Sequence, residues 1–287
     1  MKSILSLAMI LAISFSSSFA EDLKYKVHRA DINGFNLASV LITGEKDAVL
    51  IDTHFRKSDA YRVVAQILES GKELKTIYVS HGDPDYYFGL TVLKEVFPKA
   101  EVYASAPTIE HIKKTYVNKL DYWGLILGKN GDNYIILPKI LKGNTLKLEG
   151  KDIKIIGLDS KAPEKSYVYV PSIKAIFGGV NINANGHLWM ADDPPKEARA
   201  KWLSVLNNMD KLDIDIVVAS HGKKGSKEDK SSIEFTKNYL KIYEKALKKA
   251  KNSKELIKIM QEKYPHLDKN SETLSLSAKV SKGEAKW

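Results

Sequence analysis

The sequence predicts an α+β (α/β) domain in which two β-sheets face each other and helices cover their outer sides. Three observations carry this expectation. β-rich runs at 36–43 and 48–52 lead into an alternation of helix-like and strand-like segments. A second β-rich stretch, 144–178, leads into a second such alternation. No repeat of fixed period and no long low-complexity linker separates the halves. If each half supplies one sheet with its own helices, every apolar face is buried at once.

The runs 36–43 and 48–52 are joined by Gly44-Glu45-Lys46-Asp47, a hairpin signal. Residues 58–70 place Ala60, Val63, Val64, Ile67 and Leu68 at helical spacing and end at Gly71, a residue suited to a C-cap. Residues 76–80 read as a short buried strand, 87–97 as a helix stopped by Pro98, and 101–104 as another strand. Residues 107–119 begin with Pro107, as a first helical turn tolerates, and 123–131 read as loop. Four short strands follow at 144–149, 152–156, 167–170 and 173–178, then a helix at 195–208 and a strand at 214–219. From about residue 230 the chain is helical and lysine-rich.

Of the 287 residues, 44% are hydrophobic and 28% charged, which excludes collagen-like repeats and wholesale disorder. There is no cysteine, so disulfides, cysteine zinc sites, iron–sulfur clusters and thiol nucleophiles are excluded. Any metal must be held by His, Asp or Glu. Residues 1–20 combine Lys2, an apolar run at 4–15 and a small-residue end at Ser18-Phe19-Ala20. That is the pattern of a secretory signal peptide, too short to span a bilayer. The expected mature chain is exported, periplasmic or secreted, and begins near Glu21. Its main domain would run 21–222, with lysine-rich helices and tail at 223–287 packed on the same domain.

Forty-five basic against 35 acidic residues give a net charge of +10, but only four of the basic residues are arginine. Base recognition leans on arginine and no recognition motif is present, so nucleic acid is not expected as a partner. Residues 223–270 carry 14 lysines and seven acidic residues, with Ile233, Leu240, Tyr243 and Leu247 on one helical face. The lysines then form a solvated outer face, open to weak contact with anionic envelope surfaces. The expected partner is a small molecule. The sequence does not indicate the oligomeric state.

The most informative segment is Ser80-His81-Gly82-Asp83-Pro84-Asp85-Tyr86-Tyr87-Phe88-Gly89, where a strand gives way to a helix. His81, Asp83 and Asp85 are two apart, so an extended chain turns them to one side. Pro84 biases Asp83 toward extended geometry, and Gly82 permits a tight turn. Asp83 as a turn former and Asp85 as a helix cap would explain the aspartates singly, but not His81 at the strand end.

This segment resembles the metal-binding loop of the metallo-β-lactamase-fold superfamily, His-x-His-x-Asp-His. Val49-Leu50-Ile51-Asp52-Thr53, Phe177-Gly178-Gly179, Asn185-Gly186-His187-Leu188-Trp189 and Ala219-Ser220-His221-Gly222 resemble further family segments in the family's order. The resemblance implies a four-layer αββα sandwich with a site at one edge of the sheets. It also implies metal ligands at His81, Asp83 (in place of histidine), Asp85 and His221. Tyr86, Leu158 and Val180 occupy positions where relatives carry ligands, Val180 that of a metal-bridging aspartate. Two dications about 4 Å apart need shared anionic ligands, so a two-metal centre is not expected. One divalent metal is, zinc first, with iron or manganese as alternatives, and no nucleotide or flavin.

The resulting expectation is a metal-dependent hydrolase of an ester, thioester, lactone, lactam or phosphoester, with a non-catalytic ligand-binding member of the fold as the alternative. Asp85 would orient or deprotonate water. Tyr86 would ligate the metal, donate to substrate, or fill space. His54 would be a spare ligand, an acid/base group or a surface histidine. Asp52 would orient a ligand histidine. Asp159 neighbours the missing ligand at Leu158, and His187 would pack beside Trp189 or contact substrate. His28, His111 and His266 are read as structural or solvated.

Overall fold

The computed structural model describes residues 22–287, so the proposed signal peptide lies outside the described residues. A first sheet orders β1 (Lys24–Arg29), β2 (Ala38–Thr43), β3 (Asp47–Ile51), β4 (Glu73–Val79), β5 (Glu101–Ala104) and β6 (Lys139–Ile140) side by side. β1–β3 are antiparallel, and β3–β6 run parallel. In the second sheet β7 (Thr145–Leu148), β8 (Lys151–Ile156), β9 (Tyr167–Val170) and β10 (Ala175–Phe177) are antiparallel neighbours. A short parallel pair, β11 (Asn183–Ala184) with β13 (His221–Gly222), lies apart, and β12 (Ile216–Val217) joins β10.

Strand alternation sorts the core into three layers. Val40, Ile42, Val49, Ile51 and Tyr78 of the first sheet meet Ile153, Ile155, Val168, Val170 and Phe177 of the second. The intervening residues Leu41, Leu50, Ile77 and Val79 turn outward onto α1 (Lys57–Ser70), α2 (Pro84–Tyr87), α3 (Leu90–Val96) and α4 (Ala106–Leu127). Tyr167, Tyr169 and Ile176 turn onto α5 (Lys196–Met209), α6 (Ser231–Lys249), α7 (Ser253–Lys263) and α8 (Glu272–Ser281). The result is the αββα sandwich expected from the sequence. Among the described residues no helix is long and apolar enough to cross a membrane.

Several elements differ from expectation. β1 has four basic residues among six, which hid its strand character, yet it pairs with β2 over its full length. Residues 123–127, expected in a loop, continue α4, because Tyr116, Leu120, Trp123 and Leu127 pack along one side at helical spacing. The helix expected over 87–97 is broken at Phe88–Gly89. Gly89 donates its amide to the His54 carbonyl, and a Cβ there would lie 2.0 Å from the Thr53 carbonyl oxygen. The strand expected over 214–219 shortens to β12. Gly71 does cap α1, at φ +65°.

Candidate functional site

The site lies where β4 ends and α2 begins. Asp83 is extended (φ −87°, ψ 152°), as the following proline requires, and its side chain does not cap α2. Its carboxylate instead faces His81 Nε2 at 3.2 Å, His111 Nε2 at 3.4 Å and Lys119 Nζ at 2.5 Å. His111 and Lys119 stand about two turns apart on α4. Lys119 Nζ is also 3.1 Å from His111 Nε2. Gly82 makes this approach possible, since a Cβ would sit 2.6 Å from the His111 ring. Burial opposes the charge on Asp83, but His81 and the hydrogen bonds from the α4 side hold its carboxyl well below the usual range.

Asp85 and His221 form a second pair. Asp85 is buried, with Oδ2 3.5 Å from His221 Nε2. Burial and then the charge of Asp83 push its carboxyl up to about 7. His221 Nδ1 lies 2.9 Å from the Phe35 carbonyl, which can only accept, so Nδ1 carries the proton. Nε2 is therefore a lone pair, and the Tyr86 hydroxyl donates to it at 3.0 Å. Burial lowers His221 to about 4, which leaves the ring neutral at pH 7. The Tyr86 ring packs edge-on against both His81 and His221, at 5.2 and 5.8 Å.

The four expected metal ligands thus form two separate pairs. Among the described residues no group of three or more His, Asp or Glu is arranged to hold a metal ion. The Lys119 ammonium already stands against Asp83, Tyr86 already donates to His221, Leu158 packs between the sheets, and Val180 packs against the first-sheet core. These side chains do not fit a resident metal as they are placed.

Other expected residues are placed elsewhere. Asp52 does not orient a histidine. It takes hydrogen bonds from the amide and hydroxyl of Ser80 at 2.8 and 2.6 Å, and Ser80 Oγ accepts the Gly179 amide at 2.7 Å. This clamp ties β3, the end of β4 and the loop after β10 together. His54 is fully buried, with both ring nitrogens unpartnered, 4.8 Å from His28 and electrostatically coupled to Asp59 and Arg56. Burial lowers it to about 3, so it is neither a charged acid nor a surface histidine. Asp159 is exposed past the end of β8. His187 packs against Tyr239, whose hydroxyl is 2.8 Å from Nδ1.

Sequence reasoning missed three members of the cluster. From sequence His111 reads as structural or solvated and Lys119 is not singled out, and nothing in their spacing on α4 marks them for this site. Asp192 accepts from Trp189 Nε1 at 2.8 Å and feels Asp83, His81 and Lys119. The surrounding protein and then the Asp83 charge raise its carboxyl. A cleft of about 470 Å³ lies elsewhere, lined by residues that include His28, Arg29, Arg62 and Lys223, and by none of the four expected ligands.

The model of the Metallo-beta-lactamase superfamily matches residues 33–221. A metallo-beta-lactamase type 2 of Pseudomonas aeruginosa is 28% identical over 235 residues, covering 78% of this chain and 80% of that protein. A metallo-beta-lactamase from Pontibacter korlensis superposes with a TM-score of 0.54 at 18% identity, over 78% of this chain and 97% of that one. The DIM-1 metallo-beta-lactamase does so with a TM-score of 0.53 at 19% identity, over 77% and 94%. At these identities the superpositions show the fold alone.

Proposed function

The chain belongs to the metallo-beta-lactamase superfamily, and from that premise we propose that it is an exported, hydrolase-like protein acting on a small molecule at the β4–α2 edge without a resident metal. The observation that carries this reading is the Asp85–His221–Tyr86 group, held beside an ion-paired Asp83. Asp85 accepts a proton from the attacking water and returns it to the leaving group as the bond between that group and the acyl or phosphoryl centre breaks. The Tyr86 hydroxyl turns from His221 Nε2 to the developing oxyanion, where a preplaced donor counts most. His221, fixed by the Phe35 carbonyl, keeps its lone pair toward the site and orients the water. The N-terminal 1–20 segment supports export.

Zinc is the family's usual metal, and a one-metal hydrolase, with iron or manganese as substitutes for zinc, is the competing form of this reading. A non-catalytic ligand-binding role is the second reading. It is favoured by the internal pairing of Asp83 with Lys119 and of His221 with Tyr86.

The test is a panel of chromogenic esters, thioesters, lactones, lactams and phosphoesters, assayed before and after exhaustive chelation. Turnover that survives chelation and falls about 10²-fold or more in Asp85→Asn is the expected result. Turnover that appears only with added zinc contradicts the metal-free form. No turnover under any condition favours the ligand-binding role.

A further inference from the structure

We propose that Lys119 is the built-in cation of this site: its ammonium takes, at Asp83, the place that a metal ion would need, and His81, Asp83 and His111 become a metal-accepting set only when that ammonium is removed. The inference rests on the same site as the proposed function, but its test reads metal and not turnover, so the two can fail separately.

Four observations carry it. Lys119 Nζ lies 2.5 Å from Asp83 Oδ1 and 3.5 Å from the Gly82 carbonyl, so it is fixed by both a side chain and the strand-end backbone. It is only 20% exposed. Two imidazoles, His81 and His111, stand on the same carboxylate through Nε2, the atoms a divalent cation would use. Asp192, bonded to Trp189 Nε1, is a further carboxyl that interacts electrostatically with Asp83, His81 and Lys119.

A dication at Asp83 would be repelled by the ammonium at contact distance, and the repulsion is strong where the pair is partly buried, so Lys119 weakens any cation binding there. The site thus carries a covalently attached cation at Asp83. Lys119 is a positioning residue in this role: it fixes Asp83, and through it His81 and His111, without itself meeting the reacting atoms.

The experiment titrates zinc chloride into the purified protein after chelation, followed by calorimetry and by metal content after dialysis. Wild type is expected to retain under about 0.1 equivalent of zinc. Lys119→Met keeps the apolar stem and removes the charge, and is expected to bind about one equivalent at least 100-fold more tightly than wild type. Lys119→Arg, which keeps the charge, should behave as wild type, and Lys119→Met with His111→Ala should lose the gained site. Circular dichroism and melting temperature report whether each variant is folded. Tight binding of about one equivalent or more by wild type overturns the proposal. So does a folded Lys119→Met that gains no zinc. If Lys119→Met does not fold, Lys119→Gln replaces it under the same two criteria.

Discussion

Ser80→Ala is expected to destabilise the protein far more than the loss of one hydroxyl from a surface would. Ser80 is 1% exposed. Its Oγ donates to Asp52 Oδ2 at 2.6 Å and accepts the Gly179 amide at 2.7 Å. Alanine removes both bonds and leaves two buried groups unpaired, the Gly179 N–H and one Asp52 oxygen. Each such group costs about 1–3 kcal/mol, so the variant should lose about 2–6 kcal/mol. For a chain of this size that corresponds to a melting temperature lower by about 4–24 °C. Differential scanning calorimetry with urea unfolding measures it. The Gly179 carbonyl also lies 3.5 Å from the Tyr86 hydroxyl, so loosening this loop should reach the site as well. A loss below about 1 kcal/mol with unchanged cooperativity would refute the clamp.

Gly89→Ala should cost more than about 3 kcal/mol or abolish folding, because the clash is with backbone that cannot swing aside; soluble yield and melting temperature show it. Tyr239→Phe leaves His187 Nδ1 without its partner in a packed interior and should cost about 1–3 kcal/mol in urea unfolding. Asp59 is buried, yet His28 and Arg56 hold its carboxyl below the usual range despite that burial. A depressed folded pKa stabilises fully above the unfolded value near 4, and that contribution is lost progressively as pH falls from there through the folded value. Asp59→Asn should therefore lose about 1.5–3 kcal/mol at pH 7. The difference from wild type should shrink as pH drops toward about 2. A difference that is the same at both ends of a pH series of melts would contradict the ion-pair assignment.

Much of the fold was legible because strand alternation is a local property. Val49 and Ile51 face one way and Leu50 the other, and the run of residues already says so. Elements whose character depends on a partner were not. β1 is a strand because β2 offers its edge to an otherwise basic segment. The break at Gly89 exists because Thr53 passes within contact distance. At the site, the β4–α2 loop gave His81, Asp83 and Asp85 by spacing alone. His111 and Lys119 reach Asp83 from a helix, Asp192 acts on it electrostatically from a later loop, and no spacing in the chain announces a tertiary contact. Asp52 and His54 show the converse. Two residues apart and both at positive φ (62° and 77°), one clamps the strand ends and the other is buried against His28.

The most direct measurement is a crystal structure of the wild-type protein grown or soaked with excess zinc, with data collected at the zinc absorption edge. The expected result is Lys119 Nζ against Asp83, Tyr86 on His221, and no anomalous peak among His81, Asp83 and His111 or between Asp85 and His221. A strong anomalous peak at either place, with Lys119 turned away from Asp83, would contradict the metal-free site.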